Sequence, residues 1–308
     1  MKTLGFDTSN YTTSAALYDG KSFISSRKIL PVKDGERGLR QSDALFQHIK
    51  QLPEIIDGLG EIGKIGAVGV STRPRSVEGS YMPVFLAGIS FAKTAASVLG
   101  VPLFEFSHQD GHIMAGIYSS GALELLDKPF LSVHLSGGTT EILKTRFTGR
   151  GFDCKIVGAT KDISAGQVID RTGVRLGFKF PCGKALDKLS ENTDKGEKYP
   201  ISVKNGFFNF SGLEAKANQS VQSGEKIARG VFDAIGETLV RAVDYCMESE
   251  GTDSVLFVGG VASNMIIRER INSAFGMGAY FASAELSTDN ACGIAMLAHC
   301  RQHDKNED

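Results

Sequence analysis

The sequence predicts an α/β protein made of two duplicated lobes. Two observations carry this. The chain has 308 residues, more than a single core usually holds. The same order of elements also occurs twice, as expected of an internal duplication. In the first copy, the apolar run Leu4-Gly5-Phe6 breaks at the polar turn Asp7-Thr8-Ser9-Asn10 and resumes at Ser14–Tyr18, ending on the turn pair Asp19-Gly20. A helical stretch near Ala44–Leu59, a strand at Ala67–Val70, a helix at about Tyr81–Leu99 and a strand at Val101–Phe106 follow. In the second copy, Phe130–Leu135 breaks at Ser136-Gly137-Gly138-Thr139-Thr140 and resumes at Glu141–Lys144. A helix at about Glu225–Glu250, a strand at Ser254–Val258, a helix at about Ser263–Phe275 and a strand at Ala279–Ala282 complete it. These repeats predict lobes 1–121 and 122–303, the second with a helical insertion at about 160–220, and a disordered tail at 304–308.

Composition narrows the function classes. The chain is 42% hydrophobic and 22% charged, ordinary for a soluble globular protein. Its net charge of −1 means that any nucleic-acid contact must use a local patch or a partner's surface. The five cysteines are scattered without a CxxC pair, which argues against a disulfide framework or a cysteine-only zinc site. No apolar run approaches a membrane span and no signal pattern opens the chain, so a cytoplasmic location is expected.

Several segments carry chemistry. Each hairpin turn is small and hydroxyl-rich: Asp7, Thr8 and Ser9 in the first, Ser136, Gly137, Gly138 and Thr139 in the second. Such a turn is either a solvated β-turn or a cradle of backbone N–H groups and hydroxyls for phosphate. Two at matching places favour the cradle. The run Phe257–Asn264 leads a strand through Gly259-Gly260 into a helix, where glycines admit a ligand's close approach; the bland reading is a tight turn with Ser263 as helix cap. His108 and His112 lie four apart, on one helix face, a spacing that chelates one metal or simply places two capping or surface histidines. Asp289 in Ser287-Thr288-Asp289-Asn290 is the repeat's counterpart of that segment and is either the third ligand or a helix cap. Ligands from equivalent loops would meet in a cleft shared by the lobes. Gln109 stands where a zinc peptidase carries its glutamate base, and an amide cannot take that proton. Asp162, Asp170 and Asp187 fall among glycines around Phe180-Pro181-Cys182-Gly183, as ribose-binding carboxylates or as surface charges.

Taken in order along nearly the whole chain, Asp7-Thr8-Ser9, His-x-x-x-His, Ser-Gly-Gly-x-Thr, Ala165-Gly166 to Asp170, Phe210-Ser211-Gly212-Leu213, Gly-Gly-Val-Ala-Ser-Asn and Thr-Asp-Asn resemble the TsaD/Gcp family, also known as O-sialoglycoprotein endopeptidase or glycoprotease. The resemblance implies the actin-like ASKHA (ribonuclease H-like) fold. It implies transfer of threonylcarbamoyl from an AMP mixed anhydride to tRNA adenosine, giving N6-threonylcarbamoyladenosine. It implies a divalent metal, zinc or iron, on His108, His112 and Asp289, and an adenine nucleotide: ATP, AMP or threonylcarbamoyl-AMP. Residues 136–140 would face phosphate or acyl group, Asp170, Gly183 and Asp187 the ribose and base, and Asn264 the nucleotide. Expected partners are tRNA and the subunits TsaB and TsaE. Three places depart from the family pattern: Tyr11-Thr12 replaces an acidic pair, Arg73-Pro74-Arg75 a Gly-Pro-Gly loop, and Thr139 a histidine or asparagine. A divergent member could instead use carbamoyl phosphate or ATP on a small acceptor, or act as a non-catalytic nucleotide-binding subunit. An intact metal triad favours catalysis. Arg73, Arg75, Arg268 and Arg270 follow strand ends and are the candidate tRNA contacts, or else ion pairs and solvated helix charges.

Overall fold

The computed structural model describes the chain except residue 10, residues 32–38, residue 78, residues 288–290 and residues 305–308. It divides into two compact units. Unit 1 holds Met1–Tyr118, Phe147–Asp153 and Thr288–Asp308; unit 2 holds Ser119–Arg146 and Cys154–Ser287. The units are therefore not the contiguous halves 1–121 and 122–303. The turn near residue 150 and the C-terminal helix both belong to unit 1.

In unit 1, β1 (Lys2–Asp7), β2 (Thr12–Tyr18) and β3 (Phe23–Ile29) form an antiparallel meander. Helix α1 (Gln41–Asp57) leads to β4 (Ile65–Arg73), which pairs parallel with β1. Helix α2 (Phe85–Leu99) leads to β5 (Leu103–Ser107), parallel to β4, and α3 (His108–Ser120) follows at once. The sheet order is β3-β2-β1-β4-β5.

In unit 2, β6 (Phe130–Leu135), β7 (Thr140–Phe147) and β8 (Phe152–Ala159) repeat the meander. Helices α4 (Ala165–Arg175) and α5 (Gly183–Ser190), the short pair β9 (Val203–Lys204) and β10 (Phe207–Phe208), and α6 (Ser211–Gln219) come next. Then α7 (Gly224–Glu250), β11 (Val255–Val258), α8 (Met265–Phe275) and β12 (Ala279–Phe281) follow, and α9 (Cys292–Asp304) ends the chain in unit 1. The second order, β12-β11-β6-β7-β8, is the first one repeated. β6 lies antiparallel to β7 and parallel to β11, as β1 does to β2 and β4. Two sheets of this topology in one chain are the duplication read from the sequence.

Local chemistry explains where element ends differ from expectation. β5 starts after Pro102, which has no N–H for the ladder. α8 starts at Met265 because Asn264, not Ser263, caps it; its side chain accepts from Ile267 N, and residues 260–263 form a 3-10 turn. β3 carries no apolar alternation, since most of its residues are exposed, and so gives no strand signal.

Each unit has its own core. Leu4, Phe6, Val68, Val70 and Leu52 anchor the first, and Leu131, Val133, Ile235, Leu239 and Phe257 the second. α9 packs on the first sheet so closely that side chains must be absent at the contact. A methyl on Gly5 would stand 2.6 Å from Ala295 N. One on Gly293 would run into the Gly111 carbonyl of α3. Nothing flexible can yield there, so Gly293→Ala is expected to cost about 3 kcal/mol. Gly260→Ala, where the methyl meets nothing within 4 Å, should stay within about 0.5 kcal/mol. Urea denaturation of the two variants checks the contrast, and equal midpoints would refute it.

Candidate functional site

Unit 1 brings the first hairpin turn and the start of α3 together. Asp7 is 1% exposed, and both its carboxylate oxygens are spent. Oδ1 accepts from Ser9 N at 3.0 Å and from Ser71 Oγ at 2.6 Å. Oδ2 accepts from Ser9 Oγ at 3.1 Å and from His108 Nδ1 at 2.8 Å. A carboxylate only accepts, so Nδ1 carries the proton and the lone pair of the neutral ring lies on Nε2. That is how a carboxylate fixes the tautomer and direction of a metal-binding histidine. The His112 ring is buried, with its centroid 4.3 Å from that of His108. Two imidazoles on adjacent turns, one with its outer nitrogen selected by a buried acid, suit a borderline metal such as zinc or iron. Among the described residues no group of three His, Cys, Asp or Glu is assembled. Asp289, the expected third ligand, lies outside the described residues; α9 begins three residues after it.

In this arrangement the side chains of Asp7, Thr8 and Ser9, read as part of a phosphate cradle, face the fold. Thr8 Oγ1 is fully buried, donates to Val84 O at 3.0 Å and accepts from Gly88 N at 3.1 Å, pinning the start of α2. Ser9 donates to Asp7, and a filled carboxylate repels phosphate. A hydroxyl-rich turn looks alike in sequence whether it points at a ligand or into the fold. Asp110, between the two histidines, has both a local and a long-range set of partners. It accepts from Ser107 N, Ser107 Oγ, Ser76 Oγ and Phe152 N, all within 3.1 Å, and so joins α3 to the turn before β8. Ser107 and Asp110, three apart, bond reciprocally as a helix-start box that is legible in sequence, whereas the bonds from Ser76 and Phe152 are long-range. Ser71, the donor to Asp7, has no sequence signal, because Asp7 is distant in the chain.

Unit 2 arranges its candidates in a closed ring. The second hairpin turn follows Leu135. Ser164, which caps α4 in a capping box with Gln167, donates its Oγ to Gly137 O at 2.7 Å. Gly166 lies on the same loop: a methyl there would stand 2.5 Å from Gly137 Cα. One turn along α4, roughly 6 Å away, Asp170 Oδ1 accepts from Cys182 N at 2.7 Å, at the start of α5. One turn along α5, Asp187 Oδ1 accepts from Asn264 Nδ2 at 2.6 Å. Asn264 follows Gly259 and Gly260, and Gly259, at φ +97°, abuts the carbonyl of Leu135. The ring thus returns to its start.

Four glycines on this ring are not explained by the protein. At Gly137, Gly138, Gly183 and Gly260 a methyl would meet nothing within 4 Å, and none has a φ that side chains avoid. Neither backbone nor packing requires glycine there. Bare backbone of this kind is what close approach of a phosphate or sugar to the main chain needs. Burial raises the carboxyl of Asp170, opposed by the Cys182 N–H; burial and then Glu191 raise that of Asp187, opposed by the Asn264 amide. These half-buried acceptors suit sugar hydroxyls. Asn264 has its oxygen on Ile267 N and one amide hydrogen on Asp187, so it caps α8 and ties Asp187 to it. Asp162 is structural: burial works against its charge, yet donors from Ser211, Phe210 and Ile163 pull its pKa down to about 2.

The expected tRNA arginines fare unevenly. The Arg268 guanidinium donates to Ala262 O at 2.7 Å and Ala282 O at 2.8 Å and lies 4.9 Å from the Phe281 ring centre, so it holds β12 and is not available to RNA. Arg270 pairs with Glu237. Arg73 donates to the Thr72 hydroxyl at 3.1 Å and, with Glu105, Asp110, Arg150 and Asp153, lines a shallow cavity of about 250 Å³ within unit 1. The acids there outnumber the bases. The backbone N–H of Arg75 donates to Ser80 Oγ at 3.1 Å.

Comparison with known proteins gives the family and the fold. Residues 40–296 match the family model of TsaD, tRNA N6-adenosine threonylcarbamoyltransferase. A protein of that name from Thermus thermophilus is 32% identical over 319 residues, covering 99% of this chain and 94% of that one. One from Persephonella marina is 28% identical over 318 residues, covering 98% and 90%. Among solved structures, HypF from T. kodakarensis superposes with a TM-score of 0.64 at 13% identity, covering 99% of this chain and 48% of its own. The ROK hexokinase from Thermus thermophilus superposes with a TM-score of 0.54 at 14% identity, over 97% and 99%. The two structural likenesses concern the fold alone, which is the actin-like one. No helix among the described residues is long and apolar enough to cross a membrane.

Proposed function

The chain belongs to the tRNA N6-adenosine threonylcarbamoyltransferase family, and from that premise we propose that it moves threonylcarbamoyl from threonylcarbamoyl-AMP to N6 of a tRNA adenosine. The nucleotide part of the donor occupies the unit 2 ring, and His108 and His112, completed by Asp289, hold a divalent metal. The observation that carries the reading is the set of four open glycines on one ring of contacts. Such a ring fits a phosphate-sugar chain: N–H groups at Gly137 and Gly138 for phosphate, and the acceptors Asp170 and Asp187 for the ribose hydroxyls.

In the transfer the adenosine amine attacks the carbamoyl carbonyl carbon. The carbonyl C–O bond to phosphate breaks, AMP leaves with the electron pair, and the amine loses one proton. Fixed N–H groups that meet the growing negative charge on the departing AMP lower the barrier without reorganising. A bound divalent ion would supply Lewis acidity and charge neutralisation. The donor's binding energy would be used to position its carbonyl. Gln109 offers no base to a peptide-cleaving water.

The direct test is transfer to unmodified tRNA from synthetic threonylcarbamoyl-AMP, with TsaB and TsaE supplied as expected partner subunits. Labelled threonine should appear in the tRNA. Its absence, with a small carbamoyl acceptor modified instead, would overturn the reading. A second expectation concerns Asp7. Asp7→Asn should lower zinc affinity about 10- to 100-fold, because the support of a ligating histidine is lost. Calorimetric titration of zinc into metal-free protein reads this directly, and an unchanged affinity would detach Asp7 from the metal.

A further inference from the structure

The stretch from the second half of α4 through α5 is strongly basic in a chain of net charge −1. Residues 171–188 contain Arg171, Arg175, Lys179, Lys184 and Lys188 against the single carboxylate of Asp187. The two arginines are occupied. Arg171 pairs with Glu214 at 3.1 Å, and Arg175 donates to Ala217 O and Ser220 O at 2.7 and 2.5 Å. The three lysines are exposed and make no ion pair among the described residues. Lys184 stands in the first turn of α5, where the helix dipole disfavours a cation, and Lys188 lies one turn further on the same face. Between Lys179 and these two sits Phe180, a phenyl ring left 74% exposed. The turn behind it is tight: Cys182 Sγ lies 3.5 Å from Lys179 O, and Cys182 N is held by Asp170. The ring is therefore carried on a fixed support two residues from the proposed nucleotide site.

Neither feature stabilises this fold. The helix dipole disfavours a cation at a helix start, and the exposed phenyl ring, beside three lysines without ion pairs among the described residues, offers a flat face to solvent. Unpaired RNA supplies both complements, since phosphates take the lysines and a splayed base stacks on the aromatic face. We propose that Lys179, Phe180, Lys184 and Lys188 form the surface that receives a single-stranded RNA loop, with Phe180 stacking on an unpaired base beside the acceptor nucleotide. The proposal rests on the threonylcarbamoyl-transfer reading for its choice of RNA. It replaces Arg268, which the fold has already used, and Arg270, which is paired with Glu237.

Fluorescence anisotropy of the full-length chain with unmodified tRNA, over a salt series, tests it, with a fully paired RNA duplex as comparison. Phe180→Ala is expected to weaken tRNA binding about tenfold and to leave duplex binding alone, because only an unpaired base can stack. Phe180→Tyr should restore the affinity and Phe180→Leu should not. Replacing the three lysines with alanine should flatten the log–log salt slope by about 2, the value for three lost contacts to single-stranded RNA. AMP affinity, read by calorimetry, should be unchanged in every variant. Wild-type tRNA affinity and slope retained by the variants, or no salt-dependent tRNA binding by the wild type, would overturn the proposal. So would a parallel loss of AMP affinity in Phe180→Ala, which would assign the ring to the nucleotide. Failure of the transfer reading would look different: RNA bound through this surface with no threonylcarbamoyl delivered.

Discussion

Gly137→Val and Gly183→Val are each expected to cut AMP or ATP affinity by about 30- to 150-fold, the equivalent of about 2–3 kcal/mol for lost charge-assisted contacts. Neither should destabilise the protein by more than about 0.5 kcal/mol. The reason for this separation is geometric. Both glycines have ordinary backbone angles, and a Cβ there meets nothing within 4 Å, so the backbone does not oppose the side chain and the ligand does. Calorimetry for affinity and thermal melting of the ligand-free protein for stability check the two halves. Wild-type affinity in both variants would remove the ring from nucleotide binding. A large fall in stability would show that the glycines serve the fold.

The second large effect concerns the metal. Changing His108 and His112 together to alanine should take the metal content of the purified protein from about one ion per chain to near none. Stability supplies an independent readout. A metal at 100 times its Kd adds about 2.7 kcal/mol to the folded state, so chelator should lower the wild-type Tm and leave the variant's untouched. Comparing each protein with and without chelator cancels any packing cost of losing the buried His112. Equal metal content measured by mass spectrometry, or an equal chelator effect, would contradict the assignment. The edge-to-face rings of His108 and His112 would then be packing only.

These two sites are legible in sequence to different degrees. The histidine pair can be read because helical spacing alone puts residues four apart on one face. The glycine loops can be read as backbone kept bare. What cannot be read is direction. Asp7-Thr8-Ser9 and Ser136-Gly137-Gly138-Thr139 look like equivalent polar turns. Yet Thr8 is tied to Val84 and Gly88, while a Cβ at Gly137 or Gly138 would meet nothing within 4 Å. The difference depends on what α2 places against the first turn, and that contact spans about 80 residues of chain, the separation of Thr8 from Val84 and Gly88.

The arginines make the same point for electrostatics. Arg268 follows a strand and a glycine turn, a position that suggests a ligand contact. Its guanidinium instead serves the carbonyls of Ala262 and Ala282, acceptors that exist only once β11 and β12 are paired. Lys184 gives no signal of its own, since a lysine at a helix start means little until its neighbours' charges are seen to be spent.

The sequence by itself determined the fold class and its duplication, because hydrophobic period, turn residues and their order are local properties that recur when a unit is copied. It also determined the family, through motifs whose order survives divergence. Tertiary structure alone decided which polar groups remain available. Asp7 became the support of His108 because Ser71 and His108 converge on it from β4 and α3. Asn264 became the partner of Asp187 because the cap of α8 comes within reach of α5. Each polar atom has few hydrogen-bonding positions, and long-range packing determines which of them the protein itself fills.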